Sequence, residues 1–247
     1  APTPLSPDAA RQLLAELATW LRGRLRVPAK TLFDTLDDSL FELAEHSTSS
    51  ERQQQYFDGM RECRRRREEI ERDFLARVGR VSAPVASPAR RTDQDNLALV
   101  GHEELEENLA ITSMVSRTKQ RLQSPLFALD QRVGHLLGEP ELEDDLNPFG
   151  PAQLCQAFRH AAANLEVSLE IRLIMFKLFE RHVLGGIEPV YGDINIRLTN
   201  AGVLQTLPTR VKRDAAPAQQ RDPAAHHQRL HHLVERRLTA GHLQAHV

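Results

Sequence analysis

Apolar residues recur every three or four positions along almost the whole chain, in runs ended by Pro, Gly or Ser clusters. That spacing puts them on one side of successive helices, and no segment shows the two-residue period of a half-buried strand. The expected fold class is all-α, a multi-helix bundle. Its core has to be aliphatic. Aromatic residues are only 5% of the chain, with one Trp and two Tyr, so Leu, Ile, Val and Ala must fill the space between helices.

Ser6-Pro7-Asp8 reads as a helix start: a hydroxyl cap, Pro in the first turn, and an acid at the positive dipole end. Leu13, Leu14, Leu17, Trp20, Leu21 and Leu25 follow at helical spacing, and Pro28 is expected to stop the run. A second helix carries Leu32, Phe33, Leu36, Leu40, Leu43 and Ala44. Ser50 with Gln53 reads as a capping box for a third, whose stripe is Tyr56, Met60, Cys63, Ile70, Phe74 and Val78, with Arg67 inside it. The short connections predict a three-helix bundle over residues 1–80.

Residues 81–96 have the Pro/Ser-rich composition of a linker, so two helical subdomains are expected, the second over 97–207. Its first helix runs from about His102 to Gln123, with Leu105, Leu109, Thr112, Val115 and Leu122 on one face. Ser124-Pro125 opens the next, carrying Leu126, Leu129, Val133, Leu136 and Leu137, and Gly138 ends it. The loop Glu139 to Asp145 and Asn147-Pro-Phe-Gly-Pro151 lead to a helix with Leu154, Phe158, Ala161 and Leu165 inward. Leu169 to Leu184 is apolar on nearly every face and is expected at the centre of its bundle. Gly185-Gly186 breaks it, and a helix from Glu188 to Asn200 follows. Residues 208–223 lack periodicity and read as a disordered linker; 224–247 form a thin-faced terminal helix, the start of a truncated region.

A net charge of -2 gives no global field toward nucleic acid or anionic lipid. Cys63 and Cys155 are too few for a disulfide framework or a four-Cys zinc site, which fits a reducing compartment. The N-terminal segment is no signal peptide, and Glu170, Arg172, Lys177, Glu180 and Arg181 interrupt the longest apolar window, so no membrane span is expected. The expected location is cytoplasmic.

No nucleophile–base pair and no metal constellation stands out, so neither catalytic residues, metal ligands nor cofactors are assigned. Arg61, Arg64, Arg65, Arg66 and Arg67 form a positive face able to grip phosphates, although Glu62, Glu68, Glu69 and Glu71 lie at pairing distance along the helix. Arg67, on the apolar stripe, either snorkels to the surface or pairs with a buried acid such as Asp37 or Asp38. Arg172, Lys177, Glu180 and His182 are buried polar candidates on the apolar helix, with Lys177–Glu180 the expected pair. An enzyme site would need Arg172, Lys177 and His182 to share a pocket. His226, His227, His231 and His232 offer two pairs at metal-ligand spacing but no further ligand. Glu103, Glu104, Glu106 and Glu107 read as a helix-opening acidic turn. Both cysteines read as inert core thiols.

Several blocks resemble the N-terminal part of a bacterial family of large cytoplasmic proteins, domain of unknown function family 1631. They include Asp37-Asp-Ser-Leu-Phe-Glu-Leu-Ala44, Tyr56-Phe-Asp-Gly-Met-Arg61, and Leu105-Glu-Glu-Asn-Leu-Ala-Ile-Thr-Ser-Met-Val115. Pro125 to Leu137, Asn147 to Cys155, Arg172 to Val183 and Ala201-Gly-Val-Leu204 continue the series, in the same order over most of 30–207. The resemblance implies a helical scaffold and brings no catalytic residues. It also implies a longer protein, with a C-terminal part similar to PilZ domains. A cyclic di-GMP link therefore belongs to a region absent from this chain. The thymidine phosphorylase label some members carry finds no Gly-rich phosphate cradle here.

The expected function is a regulatory or protein-interaction scaffold, in bacterial signalling, with a protein partner or self-association. Nucleic-acid or anionic-ligand binding through the Arg61–Arg67 face is the alternative, and an enzyme of unknown type the third.

Overall fold

Ser6 accepts a hydrogen bond from the Ala9 N–H at 3.2 Å, and Pro7 occupies the first turn, so the first helix begins where the sequence predicts. The computed structural model describes residues 5–80, 102–140, 142–143 and 145–207. The expected linkers 81–96 and 208–223, the terminal helix over 224–247 and its histidines lie outside the described residues. Seven helices run through the described residues: α1 Pro7–Glu45, α2 Ser50–Arg77, α3 His102–Arg121, α4 Gln123–Leu137, α5 Pro151–Ala161, α6 Leu169–Phe179 and α7 Glu188–Asn200. No strand occurs among them. No helix there is long and apolar enough to cross a membrane.

Pro28 does not stop α1. The helix carries it internally, so residues 7–77 make two helices rather than the expected three. A proline inside a helix costs about 3 kcal/mol or more, because it deletes one hydrogen bond and crowds the carbonyl four residues back. That carbonyl belongs to Arg24, on an exposed turn where water can solvate it. Leu21, Leu25, Ala29, Leu32 and Leu36 nevertheless form an unbroken buried stripe through this stretch. Burying a leucine stabilises by about 1.5–3 kcal/mol, so keeping the stripe straight outweighs the lost bond. The cap of α2 is Ser49, one residue before the expected Ser50, and its hydroxyl accepts from the Arg52 N–H at 3.4 Å.

The helices expected in two subdomains share one core. α2 packs on α1 and α5, and α1 also meets α6. The rings explain why. Phe158 of α5 stacks on Phe179 of α6 at 4.4 Å and takes Phe74 of α2 edge-on at 5.7 Å. Phe33 of α1 and Phe176 of α6 complete the cluster at 6.5 and 6.0 Å. Nearly all buried apolar side chains of the described residues fall into this one cluster, so the correction is from two bundles to one body.

The turn before α5 is part of that core. Asn147 is fully buried; its amide donates to Asp130 at 2.6 Å and its carbonyl oxygen accepts from the Phe149 N–H at 3.0 Å. This local bond curls Asn147-Pro-Phe-Gly150 so that Phe149 is driven inward against Gly79 and Ala18. Gly79 ends the second helix with φ +66°, and a side chain there would meet Ala18 at 2.6 Å. Only glycine fits both demands. α6 continues without a break into a π turn, Glu180–Leu184, so the apolar helix spans the expected Leu169–Leu184.

Candidate interaction surface

α3 turns a different face inward from the one its leucines suggest. Ile111, Met114, Thr118 and Leu122 are buried, whereas Leu105 and Leu109 are 52% and 59% exposed and Thr112 is exposed. Two stripes at helical spacing compete on this helix. The buried one starts from a charged residue. Glu107 is 13% exposed and accepts from Arg159 of α5 at 3.1 Å, while Arg172 of α6 approaches it at 3.8 Å. Arg159 also donates to Asn108 at 2.8 Å, and Arg172 to the Leu165 carbonyl at 2.9 Å.

Further along, Arg117 forks onto both Glu180 oxygens at 2.7 and 2.8 Å. Arg121 donates to the carbonyls of Leu184 and Gly185 at 2.7 and 3.1 Å, satisfying groups that the end of the π turn leaves open. Fixed at these levels, α3 cannot roll to hide Leu105 and Leu109 without breaking charge-assisted bonds. Below them a groove of about 390 Å³ runs between α3 and α5, lined by Ile111, Val115, Leu146 and Ala152 with Lys119 and Asp145 at its rim. Leu146 is itself 50% exposed, and Lys119 pairs with Asp145 at 2.7 Å. The groove's apolar side chains are interspersed with Thr112, Ser116 and two glutamines, and an ion pair edges it. It is shaped to bury another surface rather than to activate a bond.

The five arginines of the Arg61–Arg67 run are all engaged with carboxylates. Arg61 pairs with Asp58, Arg64 with Asp37 at 2.7 Å, Arg65 with Glu62 at 2.8 Å, and Arg66 with Glu69 at 2.7 Å. Arg67 meets Asp34 and Glu71, each at 2.7 Å, rather than Asp37 or Asp38. It also lies 5.9 Å over the Phe33 ring, which explains a cation on the apolar stripe. Asp34 was missed because it is one helical turn before the acids considered.

The polar residues of the apolar helix do not share a pocket. Arg172 turns to Glu107, beside a groove that includes Gly59 and Leu165. Lys177 is exposed over a different groove with Leu43 and His46. Glu180 takes Arg117 as its partner, not the expected Lys177. His182 sits in the π turn, its Nε2 buried without a hydrogen-bond partner. Among the described residues no cluster of three or more His, Cys, Asp or Glu is arranged to hold a metal. Burial pushes both the Cys63 and Cys155 thiols up to about 12, with nearby carboxylates adding to it, so each stays protonated. Burial likewise raises the Tyr191 phenol, whose oxygen has no hydrogen-bond partner.

Helices, ties and exposed ridge define an all-α domain with a fixed apolar surface. Residues 9–202 match the family described as "Protein of unknown function (DUF1631) N-terminal domain", and the chain belongs to that family. No curated protein and no solved structure matches it.

Proposed function

We propose that this protein is a regulatory or protein-interaction scaffold working in the bacterial cytoplasm, with the outer face of α3 as its contact surface. The observation that carries this reading is the pair Leu105 and Leu109, held outward at 52% and 59% exposure by the Glu107, Arg117 and Arg121 ties on the other side. Leu146 and the groove beneath extend the apolar area. Two buried, protonated cysteines suit a reducing compartment.

The test is the double variant Leu105→Glu/Leu109→Glu. Each leucine is about half exposed, so a partner that covers the rest gains about 0.8–1.6 kcal/mol from it, and together they are worth about tenfold to a hundredfold in affinity. The variant keeps its helical circular dichroism and loses partners, or its own association state in light scattering, that the wild type shows. Unchanged partners and unchanged mass would remove α3 from this role.

A further inference from the structure

A group of cations with few carboxylate partners lies not on the conspicuous Arg61–Arg67 run but together on α1 and α7. Trp20, Arg24 and Val27 share one side of α1, with Lys30 and Arg26 towards its edge. Arg197 of α7 lies 4.6 Å over the Trp20 ring and Arg24 lies 5.5 Å from it. Among the described residues, Asp193 is the one carboxylate paired with any of these cations, with Arg24 at 3.5 Å. Arg26, Lys30 and Arg197 are exposed. Interleaved with them are Val27 at 70% and Ile196 at 59% exposure, two of the most exposed large apolar side chains of the described residues.

We infer that this α1–α7 face binds an acidic, amphipathic peptide segment of a partner protein. Its carboxylates meet Arg24 and Arg197 while its apolar residues cover Trp20, Val27 and Ile196. Two features select this chemistry. Positive charge outnumbers negative on the face, so an acidic segment is steered to it and is paired once there. The exposed aliphatics have no use for a phosphate backbone, which is recognised by charge and by aromatic stacking. They suit a helix or strand that alternates leucine-like and acidic positions. The two guanidinia over Trp20 preorganise the site, because the ring holds them beside one another before a ligand arrives. The inference rests on the scaffold reading for its kind of partner, but on a surface separate from α3.

Trp20 is the only tryptophan in the chain, so its emission reports on this face alone. The full chain is titrated with a synthetic helical peptide of alternating Glu and Leu turns, with polyglutamate, and with a single-stranded oligonucleotide. The peptide is expected to shift Trp20 emission saturably and more tightly than either polyanion. Arg24→Glu/Arg197→Glu lowers its affinity about tenfold or more. The milder Arg24→Gln/Arg197→Gln gives the same loss in part, should charge reversal disturb folding. Leu105→Glu/Leu109→Glu leaves it unchanged, so failure here is distinct from failure of the α3 reading. No saturable shift with the peptide, equal binding by both arginine variants, or tighter binding of the oligonucleotide would overturn the inference.

Discussion

Replacing Phe158 by alanine removes the ring on which four helices converge. It is 2% exposed, stacks on Phe179 at 4.4 Å, and meets Phe74, Phe176 and Phe33 at 5.7, 6.0 and 6.5 Å. A buried Phe→Ala change costs about 3–5 kcal/mol, and aromatic pairs add about 0.5–1.5 kcal/mol each beyond burial. The pairs overlap in what they count, so the expected loss is towards the upper end, about 5 kcal/mol. That is a large share of the roughly 5–15 kcal/mol that holds a domain folded. Urea unfolding is followed by circular dichroism and, separately, by Trp20 emission. Trp20 lies on α1, on the far side of residues 81–101 from the mutation. With one core, both signals move together to lower urea. A circular dichroism shift that leaves the Trp20 transition in place would show α1 folding independently, and would refute the shared core.

The cysteines predict a second outcome: in native protein at mildly alkaline pH neither thiol reacts with a disulfide reagent, whereas both react at once in denaturant. Their linkage also has a sign. Folded thiols keep their protons to about 12 while unfolded ones ionise near the ordinary thiol value, so the folded state holds more protons in between. Stability falls with rising pH across that window, and changing both residues to Ser flattens the slope measured by urea titration. Third, Gly138→Ala costs about 1 kcal/mol, because φ is +76° but the space around it is open. Gly79→Ala costs about 3 kcal/mol or more, because the same strain is joined by the approach to Ala18 and Phe149. Equal losses in denaturant midpoint for the two variants would contradict that ordering.

Local signals carried far along this chain wherever one cause acted alone. Ser6-Pro7, Gly138 and the helix from Glu188 to Asn200 are placed as the sequence predicts. So is the stripe from Tyr56 to Val78, because every apolar position at that spacing is buried. Reading failed where two causes competed. Pro28 is a strong local stop, but the burial that overrides it comes from helices far away in sequence. On α3 the leucine stripe looked like the inner face because Glu107 looked like a surface acid. Arg159 and Arg172, which make its burial tolerable, are on α5 and α6. The same non-local pairing hid the surface. Periodicity counts apolar residues but does not say which of two stripes is covered. The arginine run of α2 drew attention by density, although Asp34 and Asp37 of α1 complete its neutralisation across the helix pair.

The outward leucines give the most direct measurement. A photo-crosslinking amino acid is placed at Leu109, and in a second protein at Leu129, which is fully buried. Both are expressed in the bacterial cytoplasm and irradiated. Position 109 is predicted to yield discrete adducts, with another protein or with a second copy of this chain, and these vanish when Leu105 becomes Glu. Position 129 yields only internal crosslinks. No adduct at 109, or the same adducts from both positions, would contradict a protein that meets its partners through the exposed face of α3.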